Sequence, residues 1–225
     1  MGSALDIKDL SFSYRPGGPE VVRVGAFGVE AGAHVLLTGG SGTGKSTLLQ
    51  LICGLLEPRT GVVRVAGTDL SSLRGGARDR FRGARIGMIF QTFNLLHGFS
   101  AAENVMAALM FGGSPAKGHR ERAVSLLAEL GLDRPDARVE ELSVGQQQRV
   151  AVARAVACSP ALVLADEPTA SLDPENARAA MGLIRRACGA CGAALLCVSH
   201  DPAMVSGFER CVALGEINRP GAAAA

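Results

Sequence analysis

The residues richest in possible chemistry are Gly39, four intervening positions, and then Gly44-Lys45-Ser46, the G-x-x-x-x-G-K-[ST] spacing of a phosphate-binding loop. Four glycines in six positions (Gly39, Gly40, Gly42 and Gly44) let a backbone curl with its N–H groups inward around an anion. No Cβ then obstructs positive φ or close approach. A helix starting near Lys45 adds roughly half an elementary positive charge at the same point. In such a loop the lysine ammonium reaches the β- and γ-phosphates and the serine hydroxyl holds Mg2+. A glycine-rich surface turn would explain the glycines and leave Lys45 and Ser46 to coincidence.

Further reactive groups stand where apolar runs end. Ala161 to Ala165 reads as a buried strand delivering Asp166-Glu167, and ligands in open α/β sheets bind at the C-terminal ends of strands. Asp166 there would orient Mg2+ or its water, and Glu167 would polarise the water that attacks a γ-phosphate. The pair could instead cap a solvated helix, but the phosphate loop upstream favours catalysis. His200 follows the run Leu195 to Val198, within reach in principle of a γ-phosphate; a lone histidine is as readily a capping or packing residue. Gln91 ends Ile86 to Phe90, and its amide can both donate and accept, to metal and to attacking water. Leu142 to Arg149 opens a helix in which Ser143 is a good N-cap and Gly145 exposes backbone N–H groups. That is a second potential phosphate site or a plain capped helix, and physics alone favours the helix. Tyr14, the only tyrosine, sits at a strand end; it could stack on a flat ligand or cover the edge of the core, and its spacing favours the core.

The elements that must position these groups follow from patterning. Leu5, Ile7, Leu10 and Phe12 alternate with one slip, which predicts a bulged strand over Leu5 to Tyr14. Val21 to Val29 and His34 to Thr38 are further strands, the last feeding the phosphate loop, and Leu48 to Cys53 continues as a helix. Three strands before the first helix imply an antiparallel lobe beside a parallel core. Val62 to Val65 is a short strand, Arg74 to Arg85 a solvated arginine-rich loop, and Ile86 to Phe90 a strand. From Thr92 to Ala157 helices replace strands. Ser100 to Glu103 is a capping box opening a helix to about Phe111, Ser114-Pro115 starts the next, and Ser143 starts a third. This predicts a helical insertion within an α/β domain. Pro174 to Cys188 is helical, Pro202 starts a short helix, Val212 to Ile217 forms a closing hairpin strand, and 220–225 is a frayed tail.

The 225 residues can bury a proper core in one large domain. No run of about eighteen residues lacks a charge, so no membrane-spanning helix is expected. The N-terminus lacks the succession of a signal peptide, which predicts a cytosolic chain. A net charge of only +2 with few aromatics gives neither a basic footprint nor a stacking platform for nucleic acid. The six cysteines stand among apolar neighbours, as small buried hydrophobes in a reducing compartment do. Cys188 and Cys191 have C-x-x-C spacing, but a metal or redox site needs further ligands or another context.

Taken together, the chain resembles the ATP-binding subunits of ATP-binding cassette (ABC) transporters over nearly its whole length. The resemblance is carried by Gly39 to Thr47 as Walker A, Gln91 as the Q-loop and Leu142 to Arg149 as the signature. Ala161 to Pro168 as Walker B, Ser171-Leu172-Asp173 as the D-loop and His200 as the switch histidine complete it in family order. It implies an α/β fold with a P-loop NTPase (RecA-like) core over 1–91 and 158–225, an antiparallel β lobe, and a helical subdomain over 92–157 that carries the signature. It implies ATP and Mg2+ as ligands. Gly39, Gly40, Ser41, Gly42, Thr43, Gly44, Lys45, Ser46 and Thr47 would bind the nucleotide, and Ser46, Gln91 and Asp166 the metal. Glu167, His200, Gln91 and Lys45 would serve catalysis. Tyr14 falls where the family stacks an aromatic on adenine, which reverses the reading from spacing. A head-to-tail homodimer is implied, with Ser143, Gly145 and Gln146 closing over ATP held by the other copy. Val144 stands where the signature usually has glycine; the neighbouring Gly145 is retained, so closure should survive, while a β-branched residue restricts the local backbone and leaves room for slower or altered hydrolysis.

Ile89 to Leu96, followed by Ala102 to Val105, resembles the branch containing lipoprotein-releasing (LolD-like), macrolide-exporting (MacB-like), DevA-like and cell-division (FtsE-like) ATPases. That branch implies a subunit on the cytoplasmic face of the inner membrane, driving an integral membrane permease that moves a periplasmic apparatus. An FtsE-like regulator of a cell-wall hydrolase system and an amino-acid-importer ATPase are the alternatives. Soluble relatives acting on DNA or ribosomes normally bring a long coiled coil or a second cassette, and neither fits these residues.

Overall fold

Apolar runs that are continuous, rather than alternating with polar residues, make strands covered on both faces. In chain order the elements are β1 (Ser3–Phe12), β2 (Val22–Glu30), β3 (His34–Thr38), α1 (Lys45–Ile52), β4 (Thr60–Val65), β5 (Thr68–Asp69), α2 (Gly75–Arg85), β6 (Ile86–Ile89), α3 (Ala101–Phe111) and α4 (His119–Glu129). Then come α5 (Val144–Val156), β7 (Leu162–Asp166), α6 (Pro174–Cys191), β8 (Ala194–Ser199), β9 (Arg210–Ala213) and α7 (Leu214–Ile217). The structure, a computed structural model, describes residues 2–40, 42–170 and 172–220; Ser41, Ser171 and the tail beyond Pro220 lie outside the described residues.

The runs build one parallel sheet in the order β6-β7-β8-β3-β9. Successive side chains of a strand point to opposite faces, and the sheet sorts them accordingly. Leu36, Ile89, Val163, Ala165, Leu195 and Cys197 join a core with α3 to α6. Val35, Leu37, Leu162, Leu164, Leu196 and Val198 join the opposite core with α1 and the second sheet. Leu36 is fully buried, and enclosing such a side chain stabilises by roughly 1.5–3 kcal/mol relative to exposure. The second sheet, β2-β1-β4-β5, is antiparallel. The slip foreseen in β1 is present: its pairing with β4 shifts between Lys8 and Ser11, where Asp9 adopts φ 48°.

Three expectations from the sequence give way. The stretch read as an arginine-rich loop is the helix α2. It buries none of its own residues and is held from outside, Arg78 donating to Glu57 at 2.8 Å and Arg82 to the Gly54 carbonyl at 3.3 Å. The helix expected at Ser114-Pro115 starts only at His119, because Gly118 takes φ 91° as its N-cap; the His119 ring bonds the Ser114 carbonyl at 3.2 Å. The closing hairpin strand is instead β9, paired in parallel to β3, followed directly by α7. Four residues at the edge of a sheet carry too little pattern to reveal their direction, and β9 is not buried on both faces.

Candidate active site

The phosphate loop lies between the end of β3 and the start of α1, so α1 aims its first-turn N–H groups at whatever the loop encloses. Gly44 caps α1 with φ 98°, and a Cβ there would come within 2.9 Å of the Val21 carbonyl; backbone angle and space both demand glycine. Lys45 is 8% exposed, and its Nζ donates to the Gly39 and Gly40 carbonyls at 2.7 and 2.9 Å. The Thr43 hydroxyl donates to Gly40 O at 2.8 Å, which tightens the curl.

From β7 and β8 come the acidic residues and the histidine. Glu167 follows β7 with φ 47°, an uncommon angle for a residue with a side chain, and its N–H donates to Val198 O at 3.0 Å. Its carboxylate lies 2.8 Å from His200 Nδ1 and 3.6 Å from Lys45 Nζ, and it accepts the His200 backbone N–H at 3.3 Å. Burial pushes the Asp166 carboxyl above the usual carboxylate range; the Ser46 hydroxyl pulls it down, the Glu167 charge adds to the rise and Lys45 opposes it. Asp166 Oδ1 is buried with no hydrogen-bond partner among the described residues. An orphaned anionic oxygen beside a serine hydroxyl is a hard oxygen set that suits Mg2+.

These side chains share one open cavity of about 760 Å³, lined among others by Tyr14, Lys45, Gln91, Asp166, Glu167 and His200. Gly40, Gly42, Gly44, Ser46 and Thr47 line it too. Tyr14 is 61% exposed, with its ring edge-on to Phe12 and its hydroxyl 2.9 Å from Thr47 Oγ1. It therefore presents aromatic surface to the cavity mouth rather than sealing the core. Ser143, Gly145 and Gln146 do not line this cavity. Ser143 caps α5 in a reciprocal box with Gln146, and Gly145 lines a separate cleft between α5 and α6. Ser41 and Ser171 lie outside the described residues.

Two features escaped the sequence reading. Leu214 packs against Gly39, and Asn218 bonds the Thr43 carbonyl, so the chain beyond β9 supports the loop from behind. Nothing in the local pattern signals either contact. At the C-x-x-C pair, burial pushes the Cys188 thiol up to about 12, and among the described residues no group of three or more His, Cys, Asp or Glu is arranged for a metal.

A phosphate loop opening a helix, with a carboxylate pair and a histidine on neighbouring parallel strands, defines a P-loop ATPase. Residues 23–170 match the ABC transporter family. The chain is 44% identical over 221 residues to the lipoprotein-releasing system ATP-binding protein LolD 1 of Rhodospirillum rubrum, across 94% of each. It is 40% identical over 224 residues to an uncharacterized ABC transporter ATP-binding protein of Mycobacterium tuberculosis, across 96% of this chain and 67% of that one. Its structure matches the dimeric post-hydrolysis state of the ATP-binding cassette MJ0796 bound to ADP and Pi, with TM-score 0.81, 31% identity, and coverage of 98% and 99%. The chain belongs to the ABC transporter family, as an ABC-type ATPase. Among the described residues no helix is long and apolar enough to cross a membrane.

Proposed function

We propose that this chain is the ATP-hydrolysing subunit of a LolD/MacB-like complex, pairing head to tail with a second copy around ATP. It would lie on the cytoplasmic face of the inner membrane and drive an integral membrane permease. The observation that carries the reading is the convergence of Lys45, Glu167 and His200 on one cavity at the strand ends. Loop N–H groups and Lys45 bind the β- and γ-phosphates, Lys45 exchanging two carbonyl partners for phosphate oxygens. Ser46, Gln91 and Asp166 are the residues to hold Mg2+, which when bound neutralises charge on the β- and γ-oxygens. Glu167 takes the proton of the attacking water, and His200 holds the Glu167 carboxylate in place. Tyr14 stacks on the base, while Ser143, Gly145 and Gln146 of the second copy close the site and exclude water. The helical subdomain over 92–157, with Leu96, Phe99, Met110 and Phe111 exposed, faces the membrane partner.

The test is Glu167→Gln in the purified protein. Phosphate release should fall by about 100-fold or more, while Mg-ATP produces a stable dimer on size exclusion. Lys45→Ala should lose nucleotide binding. Hydrolysis at the wild-type rate in Glu167→Gln would remove Glu167 from its role, and recovery of the chain from membranes without a polytopic subunit would remove the permease.

A further inference from the structure

Asn218 stands just after α7 and is 7% exposed. Its amide reaches three separate segments. Oδ1 accepts the Arg23 N–H at 2.6 Å, and Nδ2 donates to the Val21 carbonyl and to the Thr43 carbonyl, both at 3.1 Å. Both Nδ2 donors and one acceptor position of a buried side chain are thus satisfied, which fixes its orientation. The first two contacts belong to β2 and its approach; the third belongs to the phosphate loop, 175 residues earlier in sequence.

The Thr43 carbonyl has no other hydrogen-bond partner among the described residues. That carbonyl and the N–H of Gly44 are the two ends of one trans peptide plane and point in opposite directions. Pinning the carbonyl outward therefore aims the Gly44 N–H away from Asn218. Gly44, at φ 98°, offers little steric resistance to rotation of that plane, and rotation would bring a carbonyl oxygen where an anion is to bind. Asn218 Nδ2 also sits 3.4 Å from where a Gly44 Cβ would stand, so the amide backs the loop directly.

We infer that Asn218 is a positioning residue for nucleotide: it locks the Thr43–Gly44 peptide with its N–H turned toward the phosphates. This rests on the nucleotide reading of the loop and extends it to a residue outside every motif quoted above. Removing the amide leaves the Thr43 carbonyl free to turn inward, so anion affinity falls even when the fold stands.

The experiment measures ADP and ATP affinity by calorimetry, well below the melting temperature, for wild type, Asn218→Ala and Asn218→Asp. Loss of the hydrogen bond should weaken both nucleotides by about tenfold in Asn218→Ala, and Asn218→Asp, which still accepts from the Arg23 N–H but has no donor for the Thr43 carbonyl, should lose at least as much. Turnover at saturating ATP should change far less than KM. A lowered melting temperature with unchanged affinity would reduce Asn218 to a tether of the chain end and overturn the proposal. In wild type, the Gly44 amide proton should shift downfield in NMR spectra on adding ADP; an unmoved resonance overturns the proposal without any variant. Failure of wild type to bind either nucleotide would instead overturn the nucleotide reading itself.

Discussion

Helices α3 and α5 open with the same device and put it to opposite use. In α3 the Ser100 hydroxyl accepts the Glu103 N–H at 3.2 Å, and the Glu103 carboxylate accepts the Ser100 N–H at 2.7 Å. In α5 the Ser143 hydroxyl accepts the Gln146 N–H at 3.3 Å, and the Gln146 amide oxygen accepts the Ser143 N–H at 3.0 Å. The remaining first-turn donors differ. Ala101 and Ala102 donate to the Ala137 and Pro135 carbonyls at 2.9 and 2.8 Å, and that end is buried. At α5 the N–H groups of Val144 and Gly145 meet no acceptor among the described residues, and Ser143, Val144 and Gly145 are all exposed. A capping box satisfies only part of a helix end. Whether neighbours take up the rest decides if the end can receive an anion from outside the chain.

The largest expected effect breaks the open end. A side chain at Gly145 meets nothing within 4 Å, so Gly145→Asp fits the single chain, and a carboxylate in the first turn favours the helix. The melting temperature should hold or rise. If α5 closes over the triphosphate of a second copy, the same carboxylate repels it, and hydrolysis should drop by about 100-fold. ATP-driven dimer formation in the Glu167→Gln background should vanish with it, while ATP binding to the monomer is unchanged. Normal hydrolysis with Asp at this position would remove α5 from the nucleotide site.

Val144 sharpens the comparison more gently. It is 56% exposed at the first position of α5, where a β-branched side chain must be accommodated by any surface that closes on it. Val144→Gly should ease closure by about 1 kcal/mol, which raises turnover about fivefold. Steady-state phosphate release at saturating ATP measures it, and a fall in rate would show that the side chain aids closure.

How much of this was legible in the sequence differs from element to element for physical reasons. The parallel strands were readable because Val35 to Leu37, Leu162 to Ala165 and Ala194 to Val198 are buried on both faces and so carry apolar residues without interruption. The phosphate loop was readable because a curl around an anion dictates residue types locally. Helix α2 was not: its glycines argue against a helix, its residues form no buried apolar stripe, and Glu57 and Gly54, which hold it, lie outside it. Nor was the open end of α5 distinguishable from that of α3, since the acceptors Pro135 and Ala137 are distant in sequence from Ser100. Asn218 was invisible for the same reason. Its partners are Val21, Arg23 and Thr43, and only the folded chain brings them together.

The closed end of α3 should respond in the opposite way to that of α5, through stability rather than turnover. Ser100→Ala removes the cap hydroxyl and should lower stability by about 1 kcal/mol, read as a drop of about 2–4 °C in melting temperature. The hydrolysis rate per folded molecule should stay at the wild-type value, the reverse of Gly145→Asp.

The smallest effect concerns acid. Hydrogen bonds from the Ser100 N–H and hydroxyl hold the Glu103 carboxyl below the usual carboxylate range, so folding favours its ionised form. A depressed folded pKa gives stability that is present above the unfolded value, near 4.3, and lost as pH falls through the folded one. The α5 box uses the Gln146 amide and has no such dependence. Glu103→Gln keeps an acceptor oxygen for the Ser100 N–H while removing the titration. Its melting temperature should therefore fall slightly less than that of wild type between about pH 6 and pH 3. Parallel melting curves for the two proteins across that range would show that the α3 cap draws nothing from the charge of its carboxylate.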